Sequence, residues 1–250
     1  MRIRSTRPLD DKTEIMGFSL GNVVPWGRSY EEYVAMFSLS SADLEKRILG
    51  CGDGPAGFNA ELTRRGGHVV SIDPIYQFTA DEIRNRIEAT YETVLEQTRE
   101  NKDEFIWKSI KSVDDLGKIR MDAMDRFLKD YQIGKEEGRY IQGELPMLKF
   151  SDDEFDLALC SHFVFLYSEH FSMEFHAQSL LELCRVSKEV KVFPLLELGS
   201  KKSRHFDKVI EYLNNNGCEC QVEQVGYEFQ KGGNEMLKIK SSNHVLHADP

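Results

Sequence analysis

Long hydrophobic runs are missing from this 250-residue sequence. No stretch approaches the ~20 apolar residues that a membrane-spanning helix needs, so no membrane partner is expected. Residues 1–13 are charged and lack the apolar core of a secretory signal, which points to a cytoplasmic protein. Cysteine is scarce: of five, only Cys218 and Cys220 lie close together, which makes neither a disulfide framework nor a zinc spacing. Reduced, buried thiols are the expectation, and no metal site is expected. Positive charge is also in deficit, with 32 Lys and Arg against 42 Asp and Glu, a formal net charge of −10. A chain of that sign repels phosphate backbones, and no run of basic residues offsets it, so a nucleic-acid partner is not expected. The short stretch Lys201-Lys202-Ser203-Arg204-His205 reads as a solvated loop or helix start. No internal repeat or low-complexity linker divides the chain.

Ordinary core-forming material is present: 40% of the residues are hydrophobic and 30% charged. Four apolar stretches bounded by turn residues or charges read as buried strands: 46–51 (KRILGC), 68–74 (HVVSIDP), 154–162 (EFDLALCSH) and 189–198 (EVKVFPLLEL). Residues 139–142 make a weaker one. Helical segments separate them, so the strands are parallel and joined by crossovers. Residues 218–228 and 235–240 flank Lys231-Gly232-Gly233-Asn234 and read as an antiparallel hairpin. Ser29-Tyr30-Glu31-Glu32 and Thr79-Ala80-Asp81-Glu82 are capping boxes that start helices. Apolar stripes follow through Ile83, Ile87, Tyr91, Val94 and Leu95, and through Leu116, Ile119, Ala123, Phe127, Leu128 and Tyr131. The roughly 65 residues between the second strand and the weak one exceed what a compact crossover needs. Residues 76–138 are therefore a helical insertion, either an enlarged helical layer or a lid. The fold class expected is α/β: a doubly wound, mostly parallel sheet of about seven strands with a C-terminal antiparallel hairpin. One domain spanning 1–250 is expected, with 1–44 as an N-terminal cap segment.

The most informative stretch is Ile48-Leu49-Gly50-Cys51-Gly52-Asp53-Gly54-Pro55-Ala56-Gly57-Phe58. An apolar strand runs into closely spaced glycines and then into a helix. Glycines permit positive-φ turns, and the absent Cβ lets a ligand lie against the backbone. The following helix offers free N–H groups and partial positive charge. At the end of the next strand, Asp73 (followed by Pro74) stands at the ~20-residue interval of a nucleotide-binding β-α-β unit, where a carboxylate accepts from both ribose hydroxyls. Gly52-x-Gly54-x-x-Gly57 alone also matches a dinucleotide fingerprint, which keeps an NAD-dependent oxidoreductase as an alternative.

Taken with its downstream segments, the pattern resembles class I S-adenosylmethionine-dependent methyltransferases. Leu145-Pro146-x-x-x-Phe150-x-Asp152-x-x-Phe155-Asp156-Leu157 is similar to that family's entry into strand four. Glu182-Leu183-Cys184-Arg185-Val186 is similar to its helix-to-strand-five segment, and 218–240 to its terminal antiparallel strands. The resemblance implies S-adenosylmethionine as cofactor, held by Gly50, Cys51, Gly52, Asp53, Gly54 and Pro55, by Asp73 and Pro74, and by Glu144 and Leu145 at the adenine. One position departs from the family: the acid expected before the glycine loop falls on Gly50. Asp53 either substitutes for it or is a solvent-facing loop residue.

Ligands of open α/β sheets sit beyond the carboxyl ends of the strands. That rule selects Cys160, Ser161, His162 and Phe163 after strand four, and then Tyr167. Methyl transfer needs alignment of donor and acceptor and, for a hydroxyl or amine, removal of a proton. His162 is the candidate base, against a histidine merely hydrogen-bonded at a strand end. Tyr167 either positions an acceptor or packs, and His176 reads as structural. Trp26 in Pro25-Trp26-Gly27-Arg28 is expected to fold back onto the domain, bringing Arg28 to the cofactor's carboxylate or to a surface salt bridge. Tyr33 stacks on the same cap or packs beneath it. The function implied is methyl transfer to a small molecule. A protein that binds the cofactor without catalysis is the alternative.

Overall fold

The computed structural model describes residues 24–241. Part of the expected N-terminal cap segment, residues 1–23, therefore lies outside the described residues. In chain order the elements are α1 (Tyr30–Met36), α2 (Ser41–Leu44), β1 (Arg47–Cys51), α3 (Phe58–Arg64), β2 (His68–Ile72), α4 (Ala80–Glu100), α5 (Val113–Glu136), β3 (Tyr140–Ile141), β4 (Leu157–Ser161), α6 (Met173–Val186), β5 (Glu189–Phe193), β6 (Leu196–Glu197), β7 (Lys201–Lys202), α7 (Phe206–Asn215), β8 (Cys218–Gln224) and β9 (Glu235–Ser241). Both expected capping boxes form, Ser29 with Glu32 and Thr79 with Glu82. A third, Ser40 with Asp43, starts α2.

The main sheet has seven strands in the order β3-β2-β1-β4-β5-β9-β8. The pairs β1–β2, β1–β4, β2–β3 and β4–β5 are parallel, while β9 runs antiparallel to β5 and to β8. Strand order reverses between β1 and β4, and β4 is buried along its whole length, as a central strand covered on both faces must be. At such a reversal the two connections leave in opposite directions and open a crevice beyond the strand ends. β5 is shorter than expected because Pro194 has no N–H to continue the ladder. The chain instead makes a small β6–β7 ribbon, which turns Lys201-Lys202 from the expected loop into strand.

Two long helices fill the insertion. Tyr76, Ile83, Ile87, Met124, Phe127, Leu128, Tyr131 and Tyr140 form a core of their own beneath it, with Trp26 packed against them. Gly57 lets α5 approach the start of α3, since a Cβ there would lie 2.9 Å from the Ala123 carbonyl oxygen. The far end of the insertion crosses to the other side of the crevice. Ile106 N–H donates to the Phe229 carbonyl at 2.7 Å, Lys231 N–H to the Glu104 carbonyl at 2.9 Å, and Phe105 stacks on Phe229 at 4.9 Å. The segment between α4 and α5 thus bridges to the loop between β8 and β9. Among the described residues no helix is long and apolar enough to cross a membrane.

Candidate functional site

Beyond the ends of β1 and β4 lies a cavity of about 460 Å³, within the range of small-molecule sites. Its floor is the bend after β1. Gly52 has φ +67° and Gly54 φ +53°, conformations that favour glycine. Gly52 N–H donates to the Ile72 carbonyl at 2.9 Å, which ties the bend to the end of β2. A Cβ on Gly54 would have as its nearest neighbour Asp73 Oδ2, 4.0 Å away, so the backbone is bare toward the cavity at this point.

Asp73 turns toward that bend. Its Oδ2 accepts from Gly54 N–H at 2.9 Å and its Oδ1 from Ile75 N–H at 2.8 Å. Burial pushes its pKa up, and the two N–H groups work against that rise. Tyr76, held in the insertion core, donates to the Gly54 carbonyl at 2.7 Å. The bend and the carboxylate are therefore one rigid unit.

Asp53 is not a solvent-facing loop residue; it is 7% exposed. A Cβ built on Gly50 would fall 1.9 Å from Asp53 Oδ2, so the Asp53 carboxylate fills the space that a side chain at position 50 would take. Tyr33 donates to its Oδ1 at 2.7 Å and Ser71 to its Oδ2 at 2.6 Å. Burial raises its pKa to about 6; the Ser71 and Tyr33 hydroxyls oppose the rise, and the nearby Asp73 charge adds a smaller push upward. The carboxylate of Asp53, three positions downstream, thus occupies the volume left empty at Gly50.

The end of β4 supplies Ser161 and His162. Ser161 Oγ and His162 Nδ1 are hydrogen-bonded at 2.9 Å. His162 takes φ +52°, a strained conformation for a residue other than glycine, of order 1–3 kcal/mol. Burial, with Arg28 and Arg120 nearby, holds its pKa well below the ordinary value, so the imidazole is neutral at physiological pH.

Positive charge enters from elements far apart in sequence. Arg120 on α5 is 1% exposed and pairs with Glu32 of α1, which also accepts from Tyr227 at 2.8 Å and from Ser29 N–H at 3.0 Å. Burial opposes the Arg120 charge, but Glu32 outweighs it and raises the pKa. Arg28 donates to the Trp26 carbonyl, and its own carbonyl accepts from Gly57 N–H at 2.9 Å, which seats it beside the glycine bend. Burial and Arg120 lower its pKa to about 10. The Nε atoms of both arginines are buried without a hydrogen-bond partner among the described residues.

Of the residues expected at the site, Trp26, Arg28, Cys51, Gly52, Asp53, Gly54, Pro55, Asp73, Pro74, Glu144, Leu145, Ser161, His162 and Tyr167 all line this cavity. Glu144 stands exposed at its rim, while Leu145 is buried. Two do not line it. Gly50 lies under the Asp53 carboxylate, and Cys160 is fully buried in the sheet core, where alternation along β4 turns it away. His176 is buried and bonded through Nδ1 to the Ser172 carbonyl at 2.7 Å. The sequence pointed to Glu32 only as part of a capping box, and not to Arg120 or Tyr227. Among the described residues no group of three or more His, Cys, Asp and Glu could hold a metal ion.

Strand order, glycine bend and Asp73 together define a doubly wound, mostly parallel α/β sheet with a crevice at the switch point between β1 and β4. The chain is 34% identical over 223 residues to the uncharacterized protein MJ0045 of Methanocaldococcus jannaschii, covering 89% of this chain and 98% of that protein, and it belongs to the same family. No family model matches it. Similar solved structures include the PH0226 protein of Pyrococcus horikoshii (14% identity, 85% of this chain and 91% of that chain, TM-score 0.46). Another is magnesium protoporphyrin IX methyltransferase of Synechocystis with bound SAM (11% identity, 85% and 78%, TM-score 0.45). A third is a TehB-like SAM-dependent methyltransferase of Corynebacterium glutamicum (12% identity, 79% and 80%, TM-score 0.41).

Proposed function

We propose that this protein binds S-adenosylmethionine in the cavity and transfers its methyl group to a small-molecule acceptor. The observation that carries the reading is the convergence of the bare bend at Gly52–Gly54 with Asp73, with Asp53 folded over Gly50 beside them. The residues fit the cofactor. Asp73 is the ribose acceptor, and the bend is a cradle that side chains would fill. Leu145 and Glu144 lie toward the adenine, and Arg28 takes the methionine carboxylate. Asp53 takes over the position of the family's missing acid, toward the cofactor's amino group. The bound cofactor supplies an electrophilic methyl on a sulfonium. The chain's own part is to align an acceptor beside that methyl and to shield it from water under the α4–α5 bridge. His162, neutral and lining the cavity, is the group proposed to accept a proton from a hydroxyl or amine.

The Asp53 carboxylate in the space at Gly50 supports the catalytic reading over a protein that binds the cofactor without catalysis. Calorimetric titration with S-adenosylhomocysteine and with NAD tests the cofactor, and labelled methyl transfer into a metabolite extract tests the activity. Asp73→Ala should weaken adenosylhomocysteine binding by ~1–3 kcal/mol through lost charge-assisted hydrogen bonds. Binding of NAD without adenosylhomocysteine would overturn the proposal.

A further inference from the structure

The cavity runs along α4. Arg86 and Thr98 both line it, and at ~1.5 Å of rise per residue they stand ~18 Å apart on that helix. Its two ends differ in access. At one, Pro74, Gln77, Phe78, Arg86 and Glu144 line the cavity and are themselves exposed, so this end is a mouth. At the other, Val94, Thr98 and Leu116 line the cavity yet are only 3%, 1% and 2% exposed. Just beyond Thr98 the chain leaves α4 as the segment 101–112, a strap that crosses to the β8–β9 loop. Glu104 and Phe105 of the strap line the cavity together with Phe229, Gln230 and Gly233 of that loop.

The strap is tied to the loop separately from the helices it joins. Asn101 Nδ2 donates to the Gln97 carbonyl at 2.9 Å and closes α4, while Ser112 Oγ accepts from Asp115 N–H at 3.1 Å and opens α5. Across the crevice, Ile106 N–H donates to the Phe229 carbonyl and Lys231 N–H to the Glu104 carbonyl. Ser200 Oγ approaches the same Glu104 carbonyl at 3.5 Å, and Phe105 and Trp107 pack on Phe229. These ties can part without unwinding a helix or breaking a strand of the main sheet, which is the kind of local opening that gates binding sites. The proposed cofactor fills the other end, with its ribose at Asp73 and its adenine toward Leu145 and Glu144. Once bound, it stands between the mouth and the covered end. Resting on that reading, we infer that the methyl acceptor binds beneath the strap, against Val94, Thr98 and Leu116, and enters by release of the strap, while the cofactor uses the mouth.

Phe105 and Gln230 are an antiparallel pair flanked by the two strap hydrogen bonds, an arrangement with Cα atoms ~4.5 Å apart and so within disulfide reach. In the full chain, Phe105→Cys with Gln230→Cys should join under diamide and lock the strap, with mass spectrometry following the bond. Stopped-flow rates of adenosylhomocysteine binding and release should agree within about twofold between the oxidised and reduced forms. Labelled methyl transfer from S-adenosylmethionine into a metabolite extract should fall ~tenfold or more on oxidation and return on reduction, the unaltered protein serving as control. In the unaltered protein saturated with adenosylhomocysteine, the Ile106 and Lys231 amides should exchange with solvent together, ~100-fold or more faster than those of β4. Equal transfer by locked and unlocked protein, slower adenosylhomocysteine exchange in the locked form, or strap amides as protected as β4 overturns the inference. Thiols that do not join overturn it too, because they contradict the register that closes the strap. An unaltered protein that binds no adenosylhomocysteine or transfers no methyl counts instead against the cofactor or activity assignment, and amide exchange still tells whether the strap opens.

Discussion

Replacing Asp53 by Asn should make the protein more stable at neutral pH and worse at binding its proposed cofactor. The folded state raises this carboxyl from its ordinary value near 3.8 to about 6, because burial disfavours the charge more than the Tyr33 and Ser71 hydroxyls favour it. The sign follows from proton uptake. Between those two values the folded protein holds a proton that the unfolded chain has released, so Asp53 contributes stability below pH ~4 that is lost as pH rises through about 6. A displacement of about two pH decades is worth ~3 kcal/mol at pH 7 and above. Asn keeps the shape, accepts from one hydroxyl and donates to the other, and carries no charge to bury. Urea denaturation of both proteins at pH 4 and pH 8 measures the difference, which should be near zero at the first and ~2–3 kcal/mol in favour of the variant at the second. Adenosylhomocysteine affinity should fall by ~1–3 kcal/mol in the same variant. A stability difference that does not change with pH would refute the buried-charge argument, whatever happens to binding.

Other perturbations separate the parts of the site. Gly52→Ala should destabilise by ~1–2 kcal/mol, since alanine pays for φ +67° and its Cβ would press on Phe163 at 3.0 Å; an unchanged melting temperature contradicts this. Glu32→Gln removes the carboxylate facing the buried Arg120 and should cost ~3–5 kcal/mol in denaturant titration, against a surface-like loss below ~1 kcal/mol if the charge can reach water. The His162 ring should show no protonation in NMR spectra between pH 6 and 8, because burial and two arginines hold its pKa well below the ordinary value. A midpoint near 6.5 would remove the arginines from its surroundings.

Local signals were readable in the sequence where neighbours in the chain are also neighbours in space. The glycine bend, Asp73, the strands and the capping boxes belong to this class, because each is decided within one β-α-β unit or one helical turn. Arg120 was not readable, because its partner Glu32 is 88 positions away and Tyr227 stands 195 positions from Glu32. A trace did exist: the stripe on α5 through Leu116, Ala123 and Phe127 carries the buried Arg120 on its inner face, while Ile119 is only half-buried. A charge on the apolar face of a helix is a partner waiting to be identified. The end of β5 was misjudged for a different reason. Its apolar run continues past Pro194, but the ladder needs an N–H that proline lacks.

Asp53 and Gly50 must be considered as a pair. The carboxylate can fold back only because position 50 has no side chain, and position 50 can be glycine without loss of the acid only because Asp53 is there. Restoring an acid at 50 would drive two carboxylates into one volume, so one of them would be neutral or displaced. The consequence reaches the whole cavity. Two of its acids, Asp53 and Asp73, gather at the glycine bend, Arg28 sits beside that bend, and Arg120 is paired with Glu32. A ligand that presents hydroxyls or an amine to the two acids and a carboxylate to Arg28 meets complementary charge. NAD would bring a pyrophosphate to the bend where both acids point, and that end of the cavity repels it.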